Sequence, residues 1–339
     1  MALIAGDHPY LRLSLPENAP FALKPSPGKG WGCFATRYIR RGSIILHEQA
    51  WFIFGKSLHE LSESDMQECY NHLNGEQKRQ FSHLGRNART LYASKLDALR
   101  DNLLPLIPGL DTFGTMNVMR CGLLPISSRF NHSCLPNACI ASVQRGIQAV
   151  KSIQEGDEIN LCYGNSFEVK TTEERARELP FVCICEACNP ERNFHYLSDM
   201  RRRLLQGIYY LTRGCNINVM HDTQENAVIE DITLKTRSEN SEHSSVFLGI
   251  CYHIRALLLE AEGLATPGLI KTYFYAAMYV TMRKFVRTSR SGPRPSRIEI
   301  LQARNWMIKA LEVMRYVPAP DLEESLDFEA LEQQLWSDD

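Results

Sequence analysis

The residues with the clearest chemistry sit in two segments. One is Arg129-Phe130-Asn131-His132-Ser133-Cys134-Leu135-Pro136-Asn137; the other, about fifty residues on, ends in Cys183-Ile184-Cys185-Glu186-Ala187-Cys188. Three cysteines spaced this tightly are one ligand short of a tetrahedral four-thiolate zinc site, and Cys134 offers itself as the fourth. Four thiolates leave no open position for water, so such a metal serves folding rather than catalysis. Ordinary buried cysteines are the competing reading, and the Cys-x-Cys-x-x-Cys spacing weighs against it. One metal held this way would tie the tail of a domain to the polar Asn131-His132 pair in its centre.

Other positions are suggestive only in combination. Gly30-Trp31-Gly32 lets backbone approach a ligand closely, although Gly-x-Gly alone marks no more than a turn. Lys29 beside it could reach an anion or stand as a solvated turn residue. Asn131 and His132, met in isolation, read as a turn residue and a core histidine. Tyr163 is one of 13 tyrosines, a type that mostly serves packing; it stands out because it follows Gly156-Asp157-Glu158-Ile159 and precedes Gly164. Cys33, Cys69, Cys121, Cys139, Cys162, Cys215 and Cys251 read as core or incidental.

The elements that must position these groups are legible in outline. From residue 21 to 54 the chain reads as short strands between the turn clusters Ser26-Pro27-Gly28-Lys29-Gly30 and Arg40-Arg41-Gly42-Ser43. From Ser57 to Leu104 polar residues dominate, with Leu91, Leu96 and Leu99 at helical spacing, and Ser62 with Asp65 forms an N-terminal cap signal. Strands are expected again over Ala138–Ser142, Ile147–Ile153 and Ile159–Cys162. After Pro190 the pattern is helical, strongest over Val246–Glu262, Leu269–Val286 and Arg297–Tyr316, as in an array of antiparallel helices. Asn216–Ser245 is polar and mixed, and predicts a long loop or partial disorder. The acidic end from Asp321 to Asp339 carries Leu322, Leu326, Phe328, Leu331 and Leu335 on what could be one helical face.

Bulk properties bound the rest. The 339 residues allow two domains, with 44% hydrophobic and 23% charged residues. A formal net charge of -1 argues against strong, direct nucleic-acid binding by the whole surface. No apolar run has the length of a membrane helix, and the first residues lack a signal pattern. The expected location is therefore cytoplasmic or nuclear, where the 11 cysteines stay reduced and clustered ones read as metal ligands. There the Asn131-His132-Ser133 sequon would meet no glycosylation machinery. Arg201-Arg202-Arg203 reads as a solvated helix face, with a nuclear signal as the alternative.

Four blocks in order resemble a SET-domain protein lysine methyltransferase: Gly28 to Thr36, Arg129 to Cys134, Gly156 to Gly164, and Cys183-x-Cys185-x-x-Cys188. The helical insert and helical end are similar to the SET-and-MYND subfamily, but the MYND zinc finger is missing, since Cys69 is the single cysteine between residues 50 and 120. The resemblance implies an α+β protein: a SET-type fold of short strands with a helical insert, a post-SET zinc site and a C-terminal all-α region. Its expected boundaries are 1–56 and 115–177 for the two parts of the SET domain, 57–114 for the insert, 178–195 for the post-SET zinc segment and 196–339 for the helical domain.

The resemblance also implies roles. Lys29, Gly30, Trp31, Gly32, Asn131, His132, Tyr163 and Phe181 would bind S-adenosylmethionine, with Asn131 at its amino-acid part, His132 at the adenine side and Phe181 over the adenine or beside the lysine channel. Tyr163 would be the catalytic residue. Cys134, Cys183, Cys185 and Cys188 would hold structural zinc. The expected substrate is a lysine of a histone tail or another protein, met by a monomer without membrane attachment. A non-catalytic cofactor-binding module and a methyltransferase for a small-molecule amine are the rival readings. The acidic tail could dock basic substrate segments.

Overall fold

A computed structural model describes residues 9–55, 60–84, 94–106, 120–142, 146–164, 166–215, 231–285, 292–317, 319, 322 and 326–337. The chain forms two compact units, Met1–Cys162 and Tyr163–Asp339. Leu91, used above for the helical pattern, lies outside the described residues.

Among its described residues the first unit holds three small sheets. β1 (Phe21–Ser26), β2 (Gly30–Ala35), β7 (Asn131–His132) and β10 (Glu158–Leu161) form one, in the order β1-β2-β10-β7. β3 (Ile44–Leu46), β8 (Ala138–Ser142) and β9 (Gly146–Ala149) form the second. β4 (Phe52–Phe54), β5 (Leu103–Leu106) and β6 (Arg120–Leu123) form the third. The turn cluster at Ser26 closes the β1–β2 hairpin, with Ser26 opposite Gly30 and the Lys29 amide donating to the Ser26 carbonyl at 3.1 Å. Gly28 and Gly30 both take positive φ there, 78° and 91°, which side chains with a Cβ resist. Phe21, Leu23, Cys33, Ala35, Phe130, Ile147, Ile159 and Leu161 share one buried core. Alternation along β10 sends Ile159 and Leu161 into that core and leaves Glu158 and Asn160 together on the other face.

The insert begins as the pattern predicts. α1 (Glu63–His72) starts at Ser62 with a reciprocal capping box to Asp65, and α2 (Gly75–Leu84) and α3 (Lys95–Arg100) follow. Met66, Leu73, Phe81, Leu84, Leu96 and Leu99 turn their apolar faces onto Leu103 and Leu123. The helical reading to Leu104 runs too far. Leu103-Leu104-Pro105-Leu106 is strand β5, because a continuous apolar run containing proline cannot extend a helix but can pair with β6.

The second unit is helical among its described residues: α4 (Thr172–Glu178), α5 (Asn193–Arg213), α6 (Ile232–Glu239), α7 (Ser245–Ala261), α8 (Pro267–Phe285), α9 (Arg297–Met314) and α10 (Phe328–Trp336). α7, α8 and α9 pack in sequence, and α10 closes on α8 and α9 with Phe328 edge-on to Phe274 at 4.6 Å. α6 corrects the loop expected over Asn216–Ser245; residues 216–230 of that stretch lie outside the described residues. No residue of α6 is buried, so it has no apolar period to read, and Asp231 starts it by accepting the Leu234 amide at 2.9 Å.

Candidate functional site

The Asn131 segment is placed by backbone chemistry on either side of it. Ahead of it, Ser127–Arg129 form a single 3-10 turn. The Glu48 carboxylate caps this turn, accepting the Ile126 amide at 2.9 Å, the Ser127 amide at 2.8 Å and the Ser127 hydroxyl at 2.7 Å. Burial nevertheless pushes the Glu48 carboxyl above its ordinary value, against those hydrogen bonds and the pull of Arg129. Behind it, Asn137 works as an extra strand edge: its Nδ2 donates to the Glu158 carbonyl at 2.9 Å and its Oδ1 accepts the Asn160 amide at 2.8 Å. Between these anchors β7 pairs in parallel with β10, Asn131 beside Asn160 and His132 beside Leu161.

Around Asn131 the side chains form a closed polar cluster. Its Nδ2 donates to Glu158 Oε1 at 2.7 Å and to the Trp31 carbonyl at 3.0 Å. Glu158 also accepts from Ser26 Oγ at 2.8 Å and from Lys29 Nζ at 2.8 Å, and Lys29 reaches Asn160 Oδ1 at 3.1 Å. Lys29 is therefore engaged by the sheet itself. Trp31 packs partly buried against the core and lends its carbonyl to the cluster. Gly32 is there because nothing larger fits: a Cβ would lie 2.5 Å from both Asn131 Nδ2 and Glu158 Oε1. The His132 ring is buried, with Nε2 3.3 Å from Cys134 Sγ.

The thiols of Cys134, Cys183, Cys185 and Cys188 lie within 4.8 Å of one another. Sulfurs about 3.8 Å apart would surround a zinc ion at tetrahedral geometry, so four thiols gathered this closely are a donor set that fits zinc. The turn carrying the late cysteines is held from below. The amides of Cys188 and Asn189 both donate to the Cys185 carbonyl at 2.9 Å. The Ala187 carbonyl meets Thr172 Oγ1 at 3.2 Å and the His195 ring at 3.1 Å. Arg175, fully buried on α4, places Nη2 3.3 Å from Cys188 Sγ.

Tyr163 and Phe181 are both partly exposed and meet edge to face. The glycine after Tyr163 is also dictated by space, since a Cβ on Gly164 would fall 2.0 Å from the Phe167 ring. Phe167 is in turn gripped through its carbonyl by Arg202, which also reaches Ser198 Oγ at 3.1 Å and Glu262 at 3.3 Å. This corrects the reading of Arg201-Arg202-Arg203 as a solvated face. Arg202 is wholly buried and Arg201 pairs with Glu262 at 3.0 Å, which leaves Arg203 as the exposed member.

Residues 30–164 match the SET domain family. Histone-lysine N-methyltransferase set5 of Schizosaccharomyces pombe is 26% identical over 213 residues, 60% of this chain and 61% of the relative. Protein-lysine N-methyltransferase SMYD4 of Pongo abelii is 38% identical over 76 residues, 21% of this chain and 10% of the relative. Histone-lysine N-methyltransferase SMYD3 of Mus musculus is 36% identical over 84 residues, 22% of this chain and 19% of the relative. The chain thus spans less than two thirds of the length of each of these relatives. Among the described residues, no helix is long and apolar enough to cross a membrane.

Sequence reasoning missed Glu158, Asn137, Glu48 and Arg175 as supporting residues. The first two stood inside the quoted blocks. The alternation of β10 was the available signal for Glu158, because it puts a carboxylate and Asn160 on one non-core face. Glu48 and Arg175 carry no local signal, since their partners are set by the tertiary fold.

Proposed function

We propose that this protein transfers a methyl group from S-adenosylmethionine to a lysine side-chain amine of a protein substrate. The observation that carries the reading is the Asn131 amide, oriented by two acceptors beside Gly32, in a SET domain whose β10 leads into Tyr163. The cofactor, when bound, supplies a methyl group made electrophilic by its sulfonium. Asn131 Oδ1 accepts from the cofactor's ammonium, and the backbone of Gly30, Trp31 and Gly32 lines the same end. Lys29, though paired with Glu158, brings a further positive charge for the carboxylate. The His132 ring faces Cys134, so His132 serves the adenine side through its main chain. Phe181 and the Tyr163 ring wall the lysine channel.

The phenol oxygen of Tyr163 orients the amine toward the methyl carbon. Displacement of this kind depends on alignment more than on acid or base groups. The amine must be neutral to attack, and burial beside a sulfonium lowers its pKa, because desolvation and a like charge both disfavour ammonium. Cys134, Cys183, Cys185 and Cys188 would hold a zinc ion whose closed four-thiolate shell would serve folding and leave no position for the transfer chemistry. The names of the relatives support a protein lysine, in histones or elsewhere, as the acceptor. Radiolabelled methyl transfer to a panel of proteins and peptides, read by mass spectrometry at lysine, tests the reading. Cofactor binding without transfer to any protein, or transfer only to a small amine, would replace it with one of its rivals.

A further inference from the structure

We propose that Glu158 is a positioning residue: it fixes which way the Asn131 amide faces and so makes that amide a receptor for a ligand's ammonium group. The inference rests on the methyl-transfer reading for the identity of the ligand, and on the geometry of β2, β7 and β10 for the rest.

An Asn side chain ends in two atoms of similar shape and opposite hydrogen-bonding character. The surroundings decide which atom goes where. On one side of Asn131 stand a carboxylate oxygen of Glu158 at 2.7 Å and the Trp31 carbonyl at 3.0 Å, both of which can only accept while Glu158 is ionised. Turning the amide over would press its oxygen against both. The NH2 group is therefore consumed inside the protein, with both hydrogens used. Oδ1 is left pointing away, and among the described residues it accepts no hydrogen bond. Asn131 itself is half-buried rather than sealed in the core.

Glu158 is in turn held to this task. Ser26 Oγ donates to the same oxygen that Asn131 uses, and Lys29 Nζ neutralises the other at 2.8 Å. The result is an amide that offers a ligand an acceptor and no donor. A ligand ammonium satisfies that acceptor with a charge-assisted bond, whereas a carboxylate or hydrogen in its place does not. Glu158 does not touch the ligand; it acts through Asn131.

Replacing the carboxylate by an amide removes the constraint. In Glu158→Gln, Lys29 attracts the new carbonyl oxygen, so the new NH2 group faces Asn131. The Asn131 amide is then drawn to turn and accept from it, with the Trp31 carbonyl as the one opposing acceptor left, and so shows its own NH2 group to the ligand.

The test is a binding cycle by calorimetry. The wild-type protein and Glu158→Gln are each titrated with S-adenosylhomocysteine and with its analogue carrying hydrogen in place of the α-ammonium. Losing the ammonium should weaken binding to wild type by roughly ten-fold or more, and that gap should shrink by about ten-fold in Glu158→Gln. If the substitution weakens both ligands by the same factor, Glu158 is merely structural and the proposal falls. A second measurement needs no variant: both Asn131 side-chain amide protons should be protected from solvent exchange in the free protein, and free exchange would overturn the assignment. If wild type binds neither ligand, the methyl-transfer reading fails, while the protection measurement still decides the role of Glu158.

Discussion

The rings of Tyr163 and Phe181 meet edge to face, with centroids 6.2 Å apart and planes at 90°. In this arrangement the positive rim of one ring rests on the negative face of the other, and the contact needs no hydroxyl. Tyr163→Phe therefore keeps the pair and removes one oxygen. Thermal stability and S-adenosylmethionine affinity should change little. Turnover should fall by roughly ten-fold or more, because displacement is sensitive to small errors of alignment. Single-turnover methyl transfer at the wild-type rate would remove the phenol from the mechanism and leave Tyr163 a packing residue.

The cysteine cluster leads to a different measurement. Elemental analysis should find one zinc per chain, and Cys185→Ser should release it and loosen the turn that Cys188 and Asn189 close on the Cys185 carbonyl. Chelation should reproduce the variant. A metal-free protein that remains fully folded and active would show that the four thiols are ordinary buried cysteines.

Local rules accounted for most of what was legible in the sequence. The hairpin at Ser26–Gly30, the capping box at Ser62 and the long helices α7, α8 and α9 each obey signals a few residues wide. The α10 face was readable too, and its Leu331 and Leu335 are buried. What escaped depends on partners far along the chain. β5 is a strand because β6 lies beside it, and α6 is a helix without an apolar stripe. The site divides the same way. Asn131, Tyr163 and the cysteines stood out by type and spacing, whereas Glu158 is explained by Ser26, Lys29 and Asn131, each more than twenty residues away.

Gly32 allows a steric test of the polar cluster. A methyl group there would stand 2.5 Å from two polar atoms, so Asn131 and Glu158 must separate. Gly32→Ala should weaken S-adenosylhomocysteine binding at least as much as Asn131→Ala, for which the lost hydrogen bonds predict about 1–3 kcal/mol. Calorimetry compares the two. Unchanged affinity in a well-folded Asn131→Ala protein would take Asn131 out of the cofactor site.

Glu48 gives a prediction whose sign follows from competition between burial and hydrogen bonding. Three donors favour its ionised form, yet desolvation outweighs them and holds the carboxyl above its ordinary 4.5 in the folded protein. The folded state then binds the proton more tightly than the unfolded state. Stability contributed by Glu48 is complete below the unfolded value and is lost as pH rises through the raised folded one. Glu48→Gln cannot ionise and shows no such loss. The substitution also alters the cap on the Ser127 turn, but that offset is independent of pH. Measured by thermal unfolding from about pH 4 to 7, the melting temperature of wild type relative to Glu48→Gln should therefore decline as pH rises. A relative rise would mean that the hydrogen bonds to Ile126 and Ser127 outweigh burial, and that Glu48 is held as a carboxylate below its ordinary value.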